Sequence, residues 1–372
     1  MNIIVLENEP SSQRGGQELS LLSVCQGLAA RGHQVTLLYR IEGNLLANYQ
    51  AFCQRVIPIN SYRLNFDRSS LFSFFNDILK VPLGKDSLVY GNQYQDSFFG
   101  AAFSYLRRIP FVCHLRLPPP PRFIRQWTFG MKSARRLIAV SQHTKTEWIS
   151  QGFDPARIDV VWNSIDVEKF CPDDDSQLVR SQLHLAADNP LISYVGRIDQ
   201  CKGIETLLEA FATVHTQFPN THLAIVGKPL SSRTSYLNEL KALTEKLAIA
   251  PYTHFLGHFD QPQQIYQAST VTVLPSIWTE PFGRSLIESM SCGVPAIGSR
   301  IGGIPEVLSG EFTDALFTPK DASALALVLN RWLDWRSHDP SLGDRCRQHI
   351  IKHFSLGKML NGIEKNFQSA LE

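Results

Sequence analysis

Short β-branched and aliphatic runs alternate with segments of helical period along the whole chain. In the first half the apolar runs predict strands at Ile3–Leu6, Val35–Tyr39, Val56–Ile59, Leu88–Tyr90, Phe111–Cys113, Leu137–Val140 and Val160–Trp162. Gln17–Arg31 predicts the clearest helix, with Leu21, Leu22, Cys25, Leu28 and Ala29 on one face and Gly32 as its stop. After VVWNSIDVEKFCPDDD the periodicity lapses until Leu191, which reads as a linker. The pattern then restarts, with strands expected at Ile192–Val195, Leu223–Val226, His254–Leu256, Val271–Leu274 and Ala296–Ile297. Helices are expected at Ile204–Gln217, Ser235–Leu247, Arg284–Ser291, Ala322–Leu333 and, last, Leu356–Ala370.

Strand and helix in strict alternation predict an α/β protein with doubly wound, Rossmann-like parallel sheets. The 372 residues exceed one ordinary core, so two such domains are expected, facing a deep cleft. Their bounds are read as 1–170 and 171–354, with a closing helix at about 355–372 packing back on the first domain. Composition adds exclusions. Hydrophobic residues are 44% and charged residues 19% of the chain, which is globular, and a net charge of +2 gives no bias toward nucleic acid. The opening MNIIVLENEP has no basic flank before its apolar run, and no later run reaches the ~20 residues that span a bilayer, so a cytoplasmic protein is expected. Seven cysteines scattered without a CxxC pair argue against a disulfide framework and a zinc site.

Open α/β sheets bind ligands beyond the carboxyl ends of their strands, and four loops there carry candidate chemistry. SYVGRIDQCKG places Gly196, Arg197, Lys202 and Gly203 between strand and helix, where two cations suit a diphosphate. Two basic residues on their own are more often a solvated loop. TEPFGRSLIE puts Phe282, Gly283, Arg284 and Ser285 at a helix start that can receive an anion. There Glu280 suits vicinal sugar hydroxyls, while the S-x-x-E spacing gives Glu288 a purely structural alternative as a capping box. SSQRGGQELS brings Gly15 and Gly16 before the first long helix, although a plain tight turn explains a glycine pair equally well. His114 closes its strand at the same edge, where a lone histidine is otherwise most often a satisfied core residue. No acidic residue falls between Asp96 and Glu147 while nine Lys and Arg accumulate, so the basic 107–136 stretch suits an anionic membrane or an acidic acceptor, or else a solvated face. Asp173, Asp174 and Asp175 lie in the linker with no strand to position them, and no metal is assigned.

In order, these blocks resemble the retaining, nucleotide-sugar-dependent glycosyltransferases of family four, which have the GT-B architecture. LPSIWTEPFGRSLIESMSCGVPAIGSRIGGIPEVL is similar to the family's E-x(7)-E block and GG-x-PE segment, and VGRIDQCKGIETLLEAF to its phosphate loop. RGGQELSLLSVCQGLAARGHQVTLL and AVSQHTKTEWISQGF match its amino-terminal landmarks. The resemblance implies a donor sugar held by Glu280, a ribose by Glu288, and sugar and diphosphate by the Phe282–Ser285 backbone. Arg197 and Lys202 would stabilise the departing diphosphate in place of a metal, His114 would stand beside the sugar, and Gly16 near the diphosphate. It also implies that the leaving phosphate itself takes the acceptor's proton. Implied partners are a nucleotide-diphosphate sugar and an acceptor, anionic or lipid-linked, at a peripheral site on the inner membrane face; no cofactor, metal or nucleic acid is implied. Ser164 in WNSID replaces a family glycine, and IVGKP lacks a second one at Lys228. The same fold also serves nucleotide-sugar epimerases and pyridoxal-dependent phosphorylases, and a non-catalytic sugar-nucleotide-binding partner is the remaining alternative.

Overall fold

The computed structural model describes residues 1–64, 67–173, 176–229 and 235–372. The chain divides into two compact units, Met1–Asn163 with Leu356–Glu372, and Ser164–Ser355. The first holds seven parallel strands: β1 (Asn2–Glu7), β2 (Gln34–Tyr39), β3 (Arg55–Pro58), β4 (Ser87–Gly91), β5 (Phe111–Leu115), β6 (Arg136–Ala139) and β7 (Ile158–Val160). Their order is β3-β2-β1-β4-β5-β6-β7, so the winding reverses between β1 and β4 and opens a crevice at their carboxyl ends. Alternate side chains enter two cores. Ile3, Val5, Tyr90 and Val112 pack with Leu21 and Leu28 on one face, and Ile4, Leu6, Val89 and Cys113 with Phe74 and Phe103 on the other. Burial on both faces is why these strands appear as unbroken apolar runs.

The second unit repeats the plan with six strands, β8 (Leu191–Val195), β9 (His222–Val226), β10 (Thr253–Gly257), β11 (Val271–Leu274), β12 (Ala296–Ser299) and β13 (Leu316–Phe317). Their order is β10-β9-β8-β11-β12-β13, which puts the reversal between β8 and β11. The closing helix Leu356–Leu371 belongs to the first unit. Arg31 Nη1 and His33 Nε2 meet the carboxylate of Glu364 at 2.5 and 2.8 Å, and Phe367 sets its edge on Tyr90.

Three expectations are corrected. β7 begins two residues before the predicted strand, at Ile158, because Val161 and Trp162 lie past the ladder formed with β6. The stretch read as a linker contains the helix Ser176–Gln182, and its buried Val179 joins Leu185 and Ile265 in a core. Two apolar anchors on so short a helix leave no readable period. Residues 164–170, placed with the first domain, belong to the second unit: Ser291 Oγ and Arg347 Nη1 donate to the Phe170 carbonyl, and Arg347 also to that of Val167. Asp174 and Asp175 lie outside the described residues.

Candidate active site

At the carboxyl edge of the second sheet, the loop after β8 and the loop after β11 are joined by backbone. The Ile277 N–H donates to the Cys201 carbonyl at 3.0 Å, and Asp199 accepts the Cys201 N–H to fix the turn Gln200–Lys202. That turn aims Lys202 at Glu280, Nζ to Oε2 at 2.5 Å, and Ser276 Oγ donates to the same oxygen. Burial alone would raise the Glu280 carboxyl, but Lys202 beside it, with Ser276 and Arg197, outweighs burial and holds it below the ordinary glutamate range. Glu280 is therefore an ionised acceptor at neutral pH. Both side chains of the pair remain partly accessible, at 15% for Lys202 and 17% for Glu280. Arg197 continues from Gly196 on the same loop, its carbonyl accepting the Tyr194 hydroxyl at 2.6 Å.

The helix Arg284–Ser291 starts on Gly283, whose φ of +99° lies in the region glycine favours. Gly302 and Gly303 pack on the same loop. The Gly303 N–H donates to the Glu280 carbonyl at 2.8 Å, and a Cβ at Gly302 would overlap that carbonyl oxygen. The glycine pair thus fixes the path of Glu280–Phe282. Glu288 is buried, yet the capping box is not formed: Gly283 is the residue capping the helix, and Glu288 accepts from Arg284 Nε at 2.6 Å and from Tyr266 Oη at 2.7 Å. Ser285, one residue inside the helix, is too far along to cap it.

In the first unit, Gly15 precedes the helix Gly16–Ala30, and His114, one residue before the end of β5, is fully buried. Its Nδ1 lies 2.5 Å from the Tyr90 hydroxyl, while Nε2 has no partner among the described residues. Burial, reinforced by Arg116, pushes its pKa well down and keeps the imidazole neutral. Sequence reasoning missed the network around it. Glu7 accepts from Asn92 Nδ2, Asn92 Oδ1 accepts from Arg116 Nε, and Arg116 Nη1 donates to Ser20 Oγ and Asn163 Oδ1. Each comes from the carboxyl end of a strand, Glu7 closing β1, Asn92 just after β4 and Arg116 just after β5. That position was the available signal. Ser164 is not among the described non-glycine residues with positive φ, so the turn after Asn163 needs no glycine.

The basic 107–136 stretch is divided in the structure. Arg107 donates to the carbonyls of Ile78, Leu79 and Val81, Arg116 is buried, and Arg136 binds Ser369 and the Ala156 carbonyl. Arg108, Arg122, Arg125, Lys132 and Arg135 remain exposed, beside Tyr105, Ile124 and Phe129. A cavity of about 820 Å³ lined by Tyr105, Arg108, Ser133 and Arg135 lies at the amino ends of β5 and β6, away from His114. Among the described residues no group of three His, Cys, Asp or Glu side chains is placed to hold a metal, and no helix is long and apolar enough to cross a membrane.

Two doubly wound parallel sheets with these strand orders define a protein of the GT-B glycosyltransferase architecture. The fold matches Anabaena Alr3699/HepE, solved with UDP and glucose, at a TM-score of 0.85 and 22% identity over 99% of this chain and 100% of that one. It also matches a sucrose-phosphate synthase from Thermosynechococcus elongatus at a TM-score of 0.77 and 24% identity, over 99% and 98% of the two chains. The family described as Glycosyltransferase Family 4 matches residues 14–169, and Glycosyl transferases group 1 matches residues 175–349. The chain belongs to glycosyltransferase family four. Similar curated proteins are D-inositol 3-phosphate glycosyltransferases, that of Mycolicibacterium gilvum being 31% identical over 68% of this chain and 56% of its own. The one from Frankia alni is 25% identical over 91% of each chain. For the relatives from Catenulispora acidiphila and Mycolicibacterium gilvum, the chain spans about half their length, 53% and 56%.

Proposed function

We propose that the protein is a retaining, metal-independent glycosyltransferase that moves a sugar from a nucleotide diphosphate to an acceptor hydroxyl. The observation that carries this reading is the Lys202–Glu280 pair beside Arg197, set by a shared loop scaffold at the reversal of the second sheet. Glu280, held ionised by Lys202, accepts hydrogen bonds from vicinal hydroxyls of the donor sugar. Lys202 uses one N–H on Glu280 and has two more for the diphosphate. Arg197 and the N–H groups of Phe282, Gly283, Arg284 and Ser285 add charge and dipole to the same group, with Gly196 keeping its loop close. Glu288, oriented by Arg284 and Tyr266, takes the ribose. In the first unit, neutral His114 with its open Nε2 and the Gly15–Gly16 turn before the first helix are the further candidate substrate contacts.

In the step itself the anomeric C–O bond to the β-phosphate breaks and its electron pair leaves with the diphosphate. The acceptor oxygen bonds to the anomeric carbon on the face just vacated, and its proton passes to a phosphate oxygen. Fixed cations act where negative charge grows, and the ring keeps its anomeric configuration. Similarity to a protein solved with UDP and glucose and to D-inositol 3-phosphate glycosyltransferases supports a UDP-type donor and a polyol acceptor. Glu280→Ala is expected to lower kcat/KM roughly ten- to a hundredfold, the loss of one charge-assisted bond of about 1.5–3 kcal/mol. Full activity of the variant would remove Glu280 from the site. An epimer formed from donor alone, a visible pyridoxal absorbance, or tight donor binding without turnover on any acceptor would each replace the transferase reading.

Peripheral contact with an anionic bilayer belongs to the same proposal. It is supported by the exposed Arg108, Arg122, Arg125, Lys132 and Arg135 around Tyr105 and Phe129. The protein is expected to sediment with phosphatidylglycerol vesicles, and Phe129→Ser with Arg125→Ser to lose most of that binding; equal sedimentation with neutral vesicles would overturn it.

A further inference from the structure

Arg116 is only 4% exposed, and its neighbours do not neutralise it directly. Its three acceptors are the neutral oxygens of Asn92, Ser20 and Asn163, and no carboxylate among the described residues pairs with it. A buried guanidinium without a counter-charge costs several kcal/mol unless another group supplies one. The carboxylates near it are compromised. Glu7 is one amide away through Asn92, and burial, with Glu18 and Asp96 nearby, pushes its pKa well up toward the neutral acid. Glu18 lies 3.4 Å from Arg14, and Arg116 acts on it only as a more distant charge.

The guanidinium is also incompletely bonded. Nη2 is buried without a hydrogen bond of normal geometry among the described residues, although the Tyr90 side chain lies close enough to interact with the guanidinium, and Nε2 of His114, near the carboxyl end of β5, is likewise open. Two buried nitrogens left open at and just past the carboxyl end of β5, the strand next to the reversal between β1 and β4, mark a place that can take a ligand. Ser20 and Asn163 hold one arm of the fork and Asn92 its root, which fixes the direction of the other arm.

We propose that Arg116 is a substrate-contacting residue, its Nη2 receiving an anionic oxygen group of a substrate in the first unit. The anion supplies the missing counter-charge. Two sources share this chemistry, the donor's diphosphate and an anionic acceptor, and the inference extends the transferase reading by one contact.

The test uses the full chain and calorimetry. UDP is titrated into wild type and Arg116→Met, and inorganic phosphate is then titrated into each protein saturated with UDP. Arg116→Met is expected to weaken one of the two by about tenfold or more. Loss of UDP affinity identifies the donor as the source, and loss of phosphate affinity in the UDP-bound protein identifies the acceptor side. Unchanged affinity for both overturns the proposal. If Arg116→Met does not fold, a crystal structure of wild type with UDP-glucose or phosphate decides. An anionic oxygen at hydrogen-bond distance from Nη2 supports the assignment, and water alone there contradicts it. Should wild type bind phosphate but no nucleotide, the transferase reading fails while the Arg116 site stands.

Discussion

Gly302 shows how one residue with no reactive group governs the site. Its φ is +61°, and a Cβ there would collide with the Glu280 backbone, so Gly302→Ala must move the loop that carries the carboxylate. The variant is expected to lose of the order of 1–3 kcal/mol of stability, read as a thermal midpoint lower by several degrees. An unchanged midpoint would mean that the two loops do not depend on each other. The same residue-scale view separates what the sequence disclosed from what it hid. Glu280, Glu288 and the GG-x-PE glycines stood in a recognisable spacing. The Glu7–Asn92–Arg116 relay did not, because its members come from three strands and only the sheet order brings them together. Arg116 was visible merely as one cation in a basic stretch.

Among elements, the buried strands were the most legible, since continuous apolar runs leave little choice of state. Helices such as Arg68–Leu79 and Ser97–Arg107 were not anticipated, because aromatic and small residues blur their period, and several of their aromatics face solvent, as Phe72 does at 76% exposure. The turn from β4 into Ser97–Arg107 carries a titration of its own. Asp96 is buried there, with Oδ2 unpartnered among the described residues, and burial pushes its pKa up to about 8. Between the unfolded value near 4 and that level, the folded chain holds one more proton than the unfolded chain. Stability is thus full in acid and falls as pH rises toward 8, by up to about 1.4 kcal/mol per pH unit from this group. Asp96→Asn cannot titrate, so urea unfolding at pH 5, 6.5 and 8 should show the variant gaining on wild type as pH rises. Parallel pH dependences would contradict the burial assigned to this carboxyl.

Taken as a whole molecule, the chain carries one plan twice, a parallel sheet whose winding reverses and whose functional side chains gather at the carboxyl edge of the reversal. In the second unit those side chains are cations with the ionised Glu280 among them; in the first they are a neutral histidine and a buried guanidinium. The division suits a reaction in which an anionic leaving group is held by one set of charges. We propose that Arg197 and Lys202 stabilise a departing diphosphate without a metal. NMR of UDP-, GDP- and ADP-glucose with candidate acceptors in EDTA, using wild type and the double variant Arg197→Ala, Lys202→Ala, tests it most directly. Wild type is predicted to consume one donor and give a glycoside with the donor's anomeric configuration, and the double variant to do so at least about a hundredfold more slowly. Equal rates for the two proteins, or a product of inverted configuration, would contradict the account.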